Sequence, residues 1–415
     1  MQYNPYWLVI GITLIVRIAW ALAVPVVPVG DSIAYDTFAQ NLANGIGYRW
    51  DADSPTAYWP VGTSAVYALL YALFGHNYTP IVLFHILVAV VTSWGAMRLA
   101  HQWFGQQVAL TTGWLLALWP SQIQFTTVLA SELIFNALII LVLNLWFETR
   151  LKLWVQVGGV GILLAAASYV RPTALLIPVL LVGFRWLNTK EIWQTLVMGV
   201  ATSLLMLGLI LPWSYRNAQV FGEFVLISTN GGANLWMGNN PKSTGEYMPL
   251  PPEVASMDEA KRNRYLKDLA KEHIRQRPLL FLRRTVQRTI ITHSRESIGV
   301  VWNADGLTQR YGTWVMMPLK VLNQVYWLLM LGLGLAGGVM LIQQFGWFTG
   351  ITHPLIVLWG YFAAIHAVIV AQDRYHFPSI PMIATLAAFA IVSLLGYRQM
   401  LKQTTPQPSQ PHEVN

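Results

Sequence analysis

The chain has 415 residues, of which 55% are hydrophobic and only 11% are charged, and it contains no cysteine. A soluble domain carries about 25% charged residues, so this composition excludes an ordinary soluble protein and indicates several membrane spans. The absence of cysteine excludes disulfides, thiolate metal ligands and cysteine nucleophiles. The net charge of +8 favours anionic membrane lipid over nucleic acid as a partner, because the basic residues do not form a soluble patch.

The apolar runs predict an all-α polytopic membrane protein, since each is long enough, or nearly so, to cross roughly 30 Å of hydrocarbon as a helix. The first run imitates a signal peptide, but Arg17 interrupts it, so a retained span is predicted. The run 63–74 is too short to span and predicts a helix lying along the membrane interface. The ten predicted spans lie near 6–27, 79–99, 107–129, 132–148, 153–170, 172–187, 192–213, 319–342, 351–371 and 377–396.

The distribution of Lys and Arg in the short connections predicts the orientation. With the N-terminus inside, seven basic residues lie in inner connections and three in short outer ones, which favours cytoplasmic termini and an external loop 28–78. Four parts follow: a transmembrane module 1–213, an external segment 214–313, transmembrane helices 314–397 and a disordered cytoplasmic tail 398–415. Within the external segment, residues 221–247 predict turns and short extended pieces, and two helices follow, the second a basic helix resting on lipid headgroups.

Polar residues that could carry chemistry gather at the outer ends of the predicted spans. Because they come from six separate parts of the sequence, their convergence would build one cavity at that face. These residues are Asp31, Asp36, Glu132, Arg171, Arg216, Asp373, Arg374 and His376.

Several of these residues also have purely structural interpretations. If a helix begins at Asp31, its side chain shares a face with Tyr35 by the i, i+4 spacing, or it caps that helix instead. Glu132 in the first turn of a helix is favoured by the helix dipole alone. Arg171 is equally an interfacial anchor. The sequence Asp51-Ala52-Asp53 has the spacing of a metal motif but is typical of a turn, so the sequence leaves the requirement for a divalent metal open.

The order of several motifs resembles the GT-C superfamily of multi-span glycosyltransferases, which use polyprenyl-phosphate sugars. The protein O-mannosyltransferases and the bacterial aminoarabinose transferases of lipid A are the most similar branches. The chain departs from the aminoarabinose transferases at Tyr58-Trp59, where those enzymes have an acidic residue followed by lysine. The matching pieces are GDSIAY, TAYWPVGTSAVYALLYALFG, ASELIF, YVRPTALLIP, PWSYRNAQVFGEFVLISTNGGANLWMGNNP and DRYHFPSIP.

The resemblance implies a bacterial inner-membrane enzyme that moves a sugar from a polyprenyl-phosphate donor to a hydroxyl of a lipid, protein or glycan on the external face. It places Asp31 at the catalytic centre as general base and Glu132 beside it. The apolar groove beside run 63–74 is expected to hold the prenyl chain. Two alternatives remain open from the sequence: a transporter or flippase of a lipid-linked glycan, and a glycan polymerase or ligase. Residues expected to bind the donor phosphate or sugar are Tyr35, Tyr58, Arg171, Arg216, Arg374 and His376.

Overall fold

The computed structural model describes the backbone of residues 5–404 and the side chains of residues 5–396. Within that range it is built from helices and contains no β-strand, apart from an isolated bridge between Arg49 and Pro55. The prediction of an all-α polytopic membrane protein is confirmed, because several of these helices are long and apolar enough to cross a membrane.

The helices of the first half run from α1 to α10. Their bounds are α1 Pro5–Ala23, α2 Asp31–Ala43, α3 Val61–Phe74, α4 Tyr78–Phe104, α5 Gln106–Ala117, α6 Pro120–Gln124, α7 Glu132–Trp146, α8 Leu153–Val170, α9 Ile177–Thr189 and α10 Ile192–Phe221.

The helices of the second half run from α11 to α19. Their bounds are α11 Gly231–Asn239, α12 Glu259–Gln276, α13 Pro278–Ser294, α14 Ile298–Trp302, α15 Ala304–Tyr311, α16 Met316–Phe345, α17 Trp347–Ile351, α18 Pro354–Val368 and α19 Ile380–Thr404. Helix α19 therefore continues into the segment expected to be a disordered tail, and residues 405–415 lie outside the described residues.

Seven helices in the described part are long and apolar enough to span, and an eighth span arises if a bent pair counts as one. That pair joins Pro120–Thr127 to Glu132–Trp146 at an angle of 118°. Some predicted spans form shorter helices than expected: α5 has 12 residues, and α7 and α18 have 15 each. At 1.5 Å per residue these helices cover about 18 and 23 Å, less than the hydrocarbon thickness of roughly 30 Å.

Helix α3 has 14 residues, so it is too short to span, as the sequence indicated. It packs against α2 on one side and α8 on the other. The contact with α8 depends on Gly62, because a Cβ atom at that position would lie 2.6–2.7 Å from the backbone of Tyr169 and Val170. Only a residue without a side chain permits the two helices to approach this closely.

Replacing Gly62 by alanine is expected to destabilise the protein by about 1–3 kcal/mol, since the added methyl group meets backbone that cannot rotate away. The measurement is the thermal unfolding midpoint of the purified protein in detergent. Gly11→Ala is the matched control, because Gly11 also lies in a helix and has no atom within 4 Å of the added methyl group. Equal midpoints for the two variants would show that the α3–α8 contact does not depend on Gly62.

Segment 214–313, which the sequence predicts to be external, is more ordered than the sequence indicated. The stretch expected to form turns contains helix α11, so that prediction was wrong over nine residues. Helix α12 ends at Gln276, and the side chain of Asp258 caps its start. Its first residue, Glu259, accepts hydrogen bonds from the Thr56 hydroxyl and the Ala57 amide, both at 2.8 Å, and thereby ties the first external loop to this segment.

Helix α13 carries two buried arginines instead of a uniformly lipid-facing basic surface. Arg284 donates to the carbonyl oxygens of Asn240 and Ser243 at 2.8 and 3.0 Å. Arg288 is fully buried and donates from Nε to the Ala367 carbonyl at 2.6 Å. These two residues hold the external segment together, which corrects the prediction that α13 offers them to headgroups. The apolar side chains of the opposite face stay exposed: Leu279, Leu282, Val286 and Ile290.

Candidate active site

Four charged residues from distant parts of the chain meet at one end of the helical bundle. Asp31 is the first residue of α2, and Glu132 is the first residue of α7. Arg171 follows the last residue of α8, and Arg374 lies in the connection between α18 and α19. The expected convergence of these residues is therefore observed. Two carboxylates and two guanidinium groups make the cluster neutral overall.

Arg374 lies between the two carboxylates. Its Nη2 donates to Asp31 Oδ2 at 2.5 Å, and its Nη1 lies 3.5 Å from Glu132 Oε1. Its Nε donates to Gln372 at 2.8 Å, and its guanidinium carbon lies 4.5 Å from the centre of the Trp302 ring. All three nitrogens are thus engaged in a residue that is 8% exposed. Such an arginine is fixed in place and stabilises both carboxylates.

Arg171 holds Glu132 from the other side. Its Nη2 donates to Glu132 Oε1 and its Nε donates to the Ser131 hydroxyl at 2.9 Å. Among the described residues, its Nη1 makes no hydrogen bond, which distinguishes Arg171 from Arg374. Glu132 is fully buried, so these contacts are what permits a carboxylate to stay there.

Asp31 is the least buried member of the cluster, with 27% of its side chain exposed. The helix cap is Gly30 and no side chain caps α2, so the interpretation of Asp31 as a capping residue is wrong. Burial by itself raises the pKa of Asp31, but the charge and hydrogen bond of Arg374 and a hydrogen bond from Trp59 outweigh it, and the pKa is lowered overall. Asp31 is therefore a carboxylate at neutral pH.

A cavity of about 210 Å³ adjoins this cluster. Arg171 and Arg374 line it together with the rings of Tyr35, Trp59 and Tyr375. Tyr35 is buried, and its hydroxyl makes no hydrogen bond among the described residues. The wall is completed by Pro60, Ser131, Val170, Pro172, Thr173, Asn230, Gly231, Asn234, His366 and Ile369.

His366 also lines this cavity, and its contacts fix its tautomer. Its Nδ1 lies 2.8 Å from the Phe362 carbonyl oxygen, and a carbonyl only accepts, so Nδ1 carries the proton. The lone pair is then on Nε2. The imidazole stacks on Tyr375 with ring centres 4.6 Å apart, which fixes its orientation.

An apolar groove of about 710 Å³ runs along the membrane-spanning part of the bundle and adjoins the polar cavity. Val170 lines both, and it precedes Arg171 in the sequence. Val61, Gly62 and Ala65 of α3 form one wall, as expected for the groove beside this short helix. A molecule with a charged head and a long apolar chain would fit this shape, because head and chain would each find matching surroundings. The other walls come from α4, α7, α8 and α10.

Three residues predicted for the site do not line the cavity: Arg216, His376 and Tyr58. Arg216 donates to the backbone carbonyls of Thr56 and Tyr48, both at 2.9 Å, and so fixes the first external loop. His376 is buried, stacks on Trp327 at 3.9 Å and lies 3.4 Å from Glu296 Oε1.

Tyr58 packs edge-on against Trp59, with ring centres 4.6 Å apart, and does not line the cavity. Burial raises the pKa of Tyr58 to about 12, so its hydroxyl is neutral at physiological pH. Asp51 and Asp53 form the predicted turn, in which the Asp53 amide donates to Asp51 at 3.0 Å.

The sequence did not indicate several aromatic residues of the site. Trp59 and Tyr375 lie within recognised motifs but were not assigned to the site, whereas Trp302 comes from segment 214–313 and His366 from an apolar helix. Among the described side chains, no three His, Asp or Glu residues come together as a metal site would require. The two carboxylates of the cluster, Asp31 and Glu132, are both engaged by arginines.

Residues 59–215 match the family model of dolichyl-phosphate-mannose-protein mannosyltransferase. Among solved structures, the archaeal oligosaccharyltransferase AglB from Archaeoglobus fulgidus, in complex with an inhibitory peptide and a dolichol-phosphate, matches with a TM-score of 0.57 at 11% identity. The match covers 98% of this chain and 52% of AglB. The apo form of the Archaeoglobus fulgidus oligosaccharyltransferase gives 0.57 at 10% identity, covering 98% and 53%. The chain therefore spans about half the length of these oligosaccharyltransferases.

ArnT from Cupriavidus metallidurans bound to undecaprenyl phosphate matches with a TM-score of 0.46 at 16% identity, covering 97% of this chain and 81% of ArnT. That score is too low to bear on the fold. No curated protein matches the sequence. The family match and the structural match to AglB confirm the resemblance: the chain has the GT-C glycosyltransferase fold, and residues 59–215 carry the sequence pattern of the dolichyl-phosphate-mannose-protein mannosyltransferases.

Proposed function

We propose that this protein is a membrane glycosyltransferase that moves one sugar from a polyprenyl-phosphate donor to an acceptor hydroxyl at the external face of the membrane. The observation that carries the proposal is that the apolar groove and the polar cavity beside Asp31 adjoin each other and share Val170 as a lining residue. A lipid-linked sugar has the same division into an apolar chain, a charged phosphate and a polar ring. The matched structure of AglB contains a dolichol-phosphate, which is a molecule of this class.

Arg171 is the residue that we assign to the donor phosphate. It adjoins the groove through Val170, and its Nη1 donates to no other described residue, so one edge of the guanidinium is available. Arginine binds phosphate oxygens through charge-assisted hydrogen bonds. Arg374, which the sequence also offered for this role, has all three nitrogens engaged and instead keeps Asp31 and Glu132 in position.

In the proposed reaction, the acceptor oxygen attacks the anomeric carbon while the bond from that carbon to the phosphate oxygen breaks. The electron pair of the broken bond leaves with the lipid phosphate, and the hydroxyl proton passes to the Asp31 carboxylate. Because the pKa of Asp31 is lowered, it is a weak base that orients the hydroxyl and takes the proton late. Its charge also stabilises the positive charge that develops on the sugar ring. Direct displacement inverts the anomeric carbon.

The cavity fits a single sugar ring. Cavities that bury a drug-sized molecule measure about 300–1,000 Å³, and this one measures about 210 Å³. In this proposal the rings of Trp59 and Tyr375 pack against the sugar ring, and the Tyr35 hydroxyl and His366 Nε2 bond its hydroxyl groups. On this size the proposal favours transfer of a single sugar over transfer of a preassembled oligosaccharide.

The test uses purified, reconstituted protein with a polyprenyl-phosphate sugar labelled in the sugar and a mixture of candidate acceptors. The expected result is a labelled product with a new glycosidic bond, together with free polyprenyl phosphate. Movement of the intact donor between leaflets with no new bond would establish a flippase instead. Transfer only from oligosaccharide donors would establish a polymerase or ligase. In vesicles in which the protein has one orientation, the donor is added only to the outside. Turnover under this condition tests the proposed external site and cytoplasmic termini.

Blocking the groove is expected to affect long-chain donors selectively. Ala65→Trp places an indole in the groove, so the KM for a donor with a long prenyl chain is expected to rise about tenfold or more. A loss of about 1.4 kcal/mol of binding free energy corresponds to a tenfold change in affinity. A donor with a short, water-soluble chain does not reach the groove and is expected to keep its KM. The measurement is steady-state kinetics with both donors.

Ala72→Trp is the matched control for the groove variant. Ala72 is exposed on the same helix but does not line the groove. It is expected to behave as the wild type with both donors. If both variants raise the KM equally, or if Ala65→Trp affects both donors equally, the groove does not hold the chain.

A further inference from the structure

A second polar site lies at the opposite end of the bundle from Asp31. Two cavities, of about 310 and 440 Å³, flank α4 near its end, and Trp94 and Arg98 line both of them. The first is closed by Tyr6, Trp7 and Ile10 of α1 with His101. The second is closed by α7, α8 and their connection, with Leu141, Asn144, Leu145, Glu148, Arg150, Leu151 and Leu163. Neither cavity is part of the proposed transfer site.

The length of α4 places this site about one hydrocarbon thickness from the external face. Tyr78, the first residue of α4, donates to Asp36 at 3.2 Å and so marks the end of the bundle to which α2 is fixed. Arg98 follows 20 residues later, and at 1.5 Å per residue the two lie about 30 Å apart. Arg98 therefore lies where the hydrocarbon ends on the opposite side of the membrane.

The chemistry of the site suits a phosphate with apolar chains. Arg98 forms an ion pair with Glu148 but keeps 43% of its side chain exposed. Arg150 adds a second positive charge to the lining, so the charged residues there sum to +1 without histidine. Trp94 lies under the Arg98 guanidinium, with 5.8 Å between the guanidinium carbon and the ring centre. Tryptophan beside arginine is typical of the level of lipid headgroups.

We propose that Arg98 and the two cavities beside it bind an anionic phospholipid of the leaflet opposite the transfer site. The lipid phosphate accepts hydrogen bonds from the exposed edge of Arg98, and one acyl chain enters each cavity on either side of the Trp94–Arg98 ridge. Basic pockets between transmembrane helices recognise anionic headgroups in this way. The site joins α1 to α4 and α4 to α7 and α8, so an occupied site stabilises the packing of these helices.

The test measures lipid retention by native mass spectrometry of the full chain in detergent, with equimolar phosphatidylglycerol and phosphatidylcholine of identical acyl chains. The wild type is expected to retain phosphatidylglycerol about fivefold in preference, since one basic residue at a lipid surface contributes about 1 kcal/mol. Arg98→Gln is expected to lose this preference. Lys190→Gln is the matched control, because Lys190 is exposed and lines neither cavity. An unchanged preference in Arg98→Gln, or no preference in the wild type, overturns the proposal.

Two further experiments distinguish binding of the acyl chains from binding of the phosphate, and they keep the test valid if Arg98→Gln misfolds. Leu151→Trp fills one cavity from a partly exposed position without changing charge, and it is expected to reduce phosphatidylglycerol retention. Glycerol phosphate, which lacks chains, is expected not to displace the retained lipid at equal concentration. Displacement by glycerol phosphate would show a phosphate site and overturn the assignment to a lipid. Glycosyl transfer is not the readout, so a failure of the proposed function leaves this test unaffected.

Discussion

Replacing Asp31 by asparagine is expected to reduce turnover at least about a hundredfold while leaving donor binding nearly unchanged. The expected size follows from the contribution of a positioned general base, which is typically 10²–10⁴-fold. Asparagine keeps the shape and still accepts a hydrogen bond from Arg374, but it neither takes a proton nor carries the charge that stabilises the sugar in the transition state. The measurements are turnover of labelled donor and, separately, donor binding.

Asp51→Asn is the matched control for this prediction. Asp51 lies in the same external loop and is exposed, so wild-type activity is expected. Turnover of Asp31→Asn at the wild-type rate would remove Asp31 from the mechanism.

The pH profile gives a second test of the same residue. Because the pKa of Asp31 is lowered, the carboxylate persists at pH values below the ordinary aspartate value of about 3.9, and its contribution to stability is lost only as the pH falls through the folded-state value. Asp31 is therefore expected to produce no acidic limb in kcat/KM above about pH 4. A limb near pH 6 that disappears in Asp31→Asn would contradict the ion pair with Arg374.

Removing the charge of Arg374 is expected to have the largest effect on stability. Arg374→Gln leaves Asp31 and the fully buried Glu132 without the cation between them, and breaking a buried pair in this way costs about 3–5 kcal/mol. Without Arg374 the burial that raises the pKa of Asp31 is no longer outweighed, so protonation relieves the unpaired charge and the difference from the wild type is expected to shrink as the pH falls. The measurement is the thermal midpoint in detergent at several pH values.

Arg295→Gln is the control for this comparison. Arg295 pairs with Glu246 at the surface, where 52% and 40% of the side chains are exposed, and such pairs contribute about 0–1 kcal/mol. A small change that does not depend on pH is expected. If the two variants lose equal stability, the charge of Arg374 does not stabilise the carboxylates of Asp31 and Glu132.

The sequence was informative about residues whose position depends on the membrane. Asp31, Glu132, Arg171 and Arg374 each lie at the end of an apolar run, and the distribution of basic residues predicted that these ends share one face. The structure brings the four together, and Asp31 bonds to Arg374 across a separation of 343 residues. The sequence could not predict that these residues contact one another directly, because those contacts depend on how the helices pack.

Residues whose partners are backbone atoms could not be predicted in the same way. Arg216, Arg284 and Arg288 donate to carbonyl oxygens, and a carbonyl is present at every position, so no sequence pattern marks its partner. Trp302 contributes to the site because the external segment folds back over Arg374. Helix α11 was missed because its glycines and asparagines are typical of turns, whereas its packing against α12 stabilises a helix there.

The pairing of Asp31 with Arg374 also bears on how the protein is made. At about 5–20 residues per second, synthesis of the 343 residues between them takes on the order of 20–70 s. During that time the α2 carboxylate has no arginine partner from the last connection and stays at the aqueous boundary. The proposed transfer site is complete only after Arg374 has been synthesised, so shorter nascent chains are expected to lack activity on lipid-linked sugars. Products of translation interrupted before Arg374 are therefore expected to be inactive.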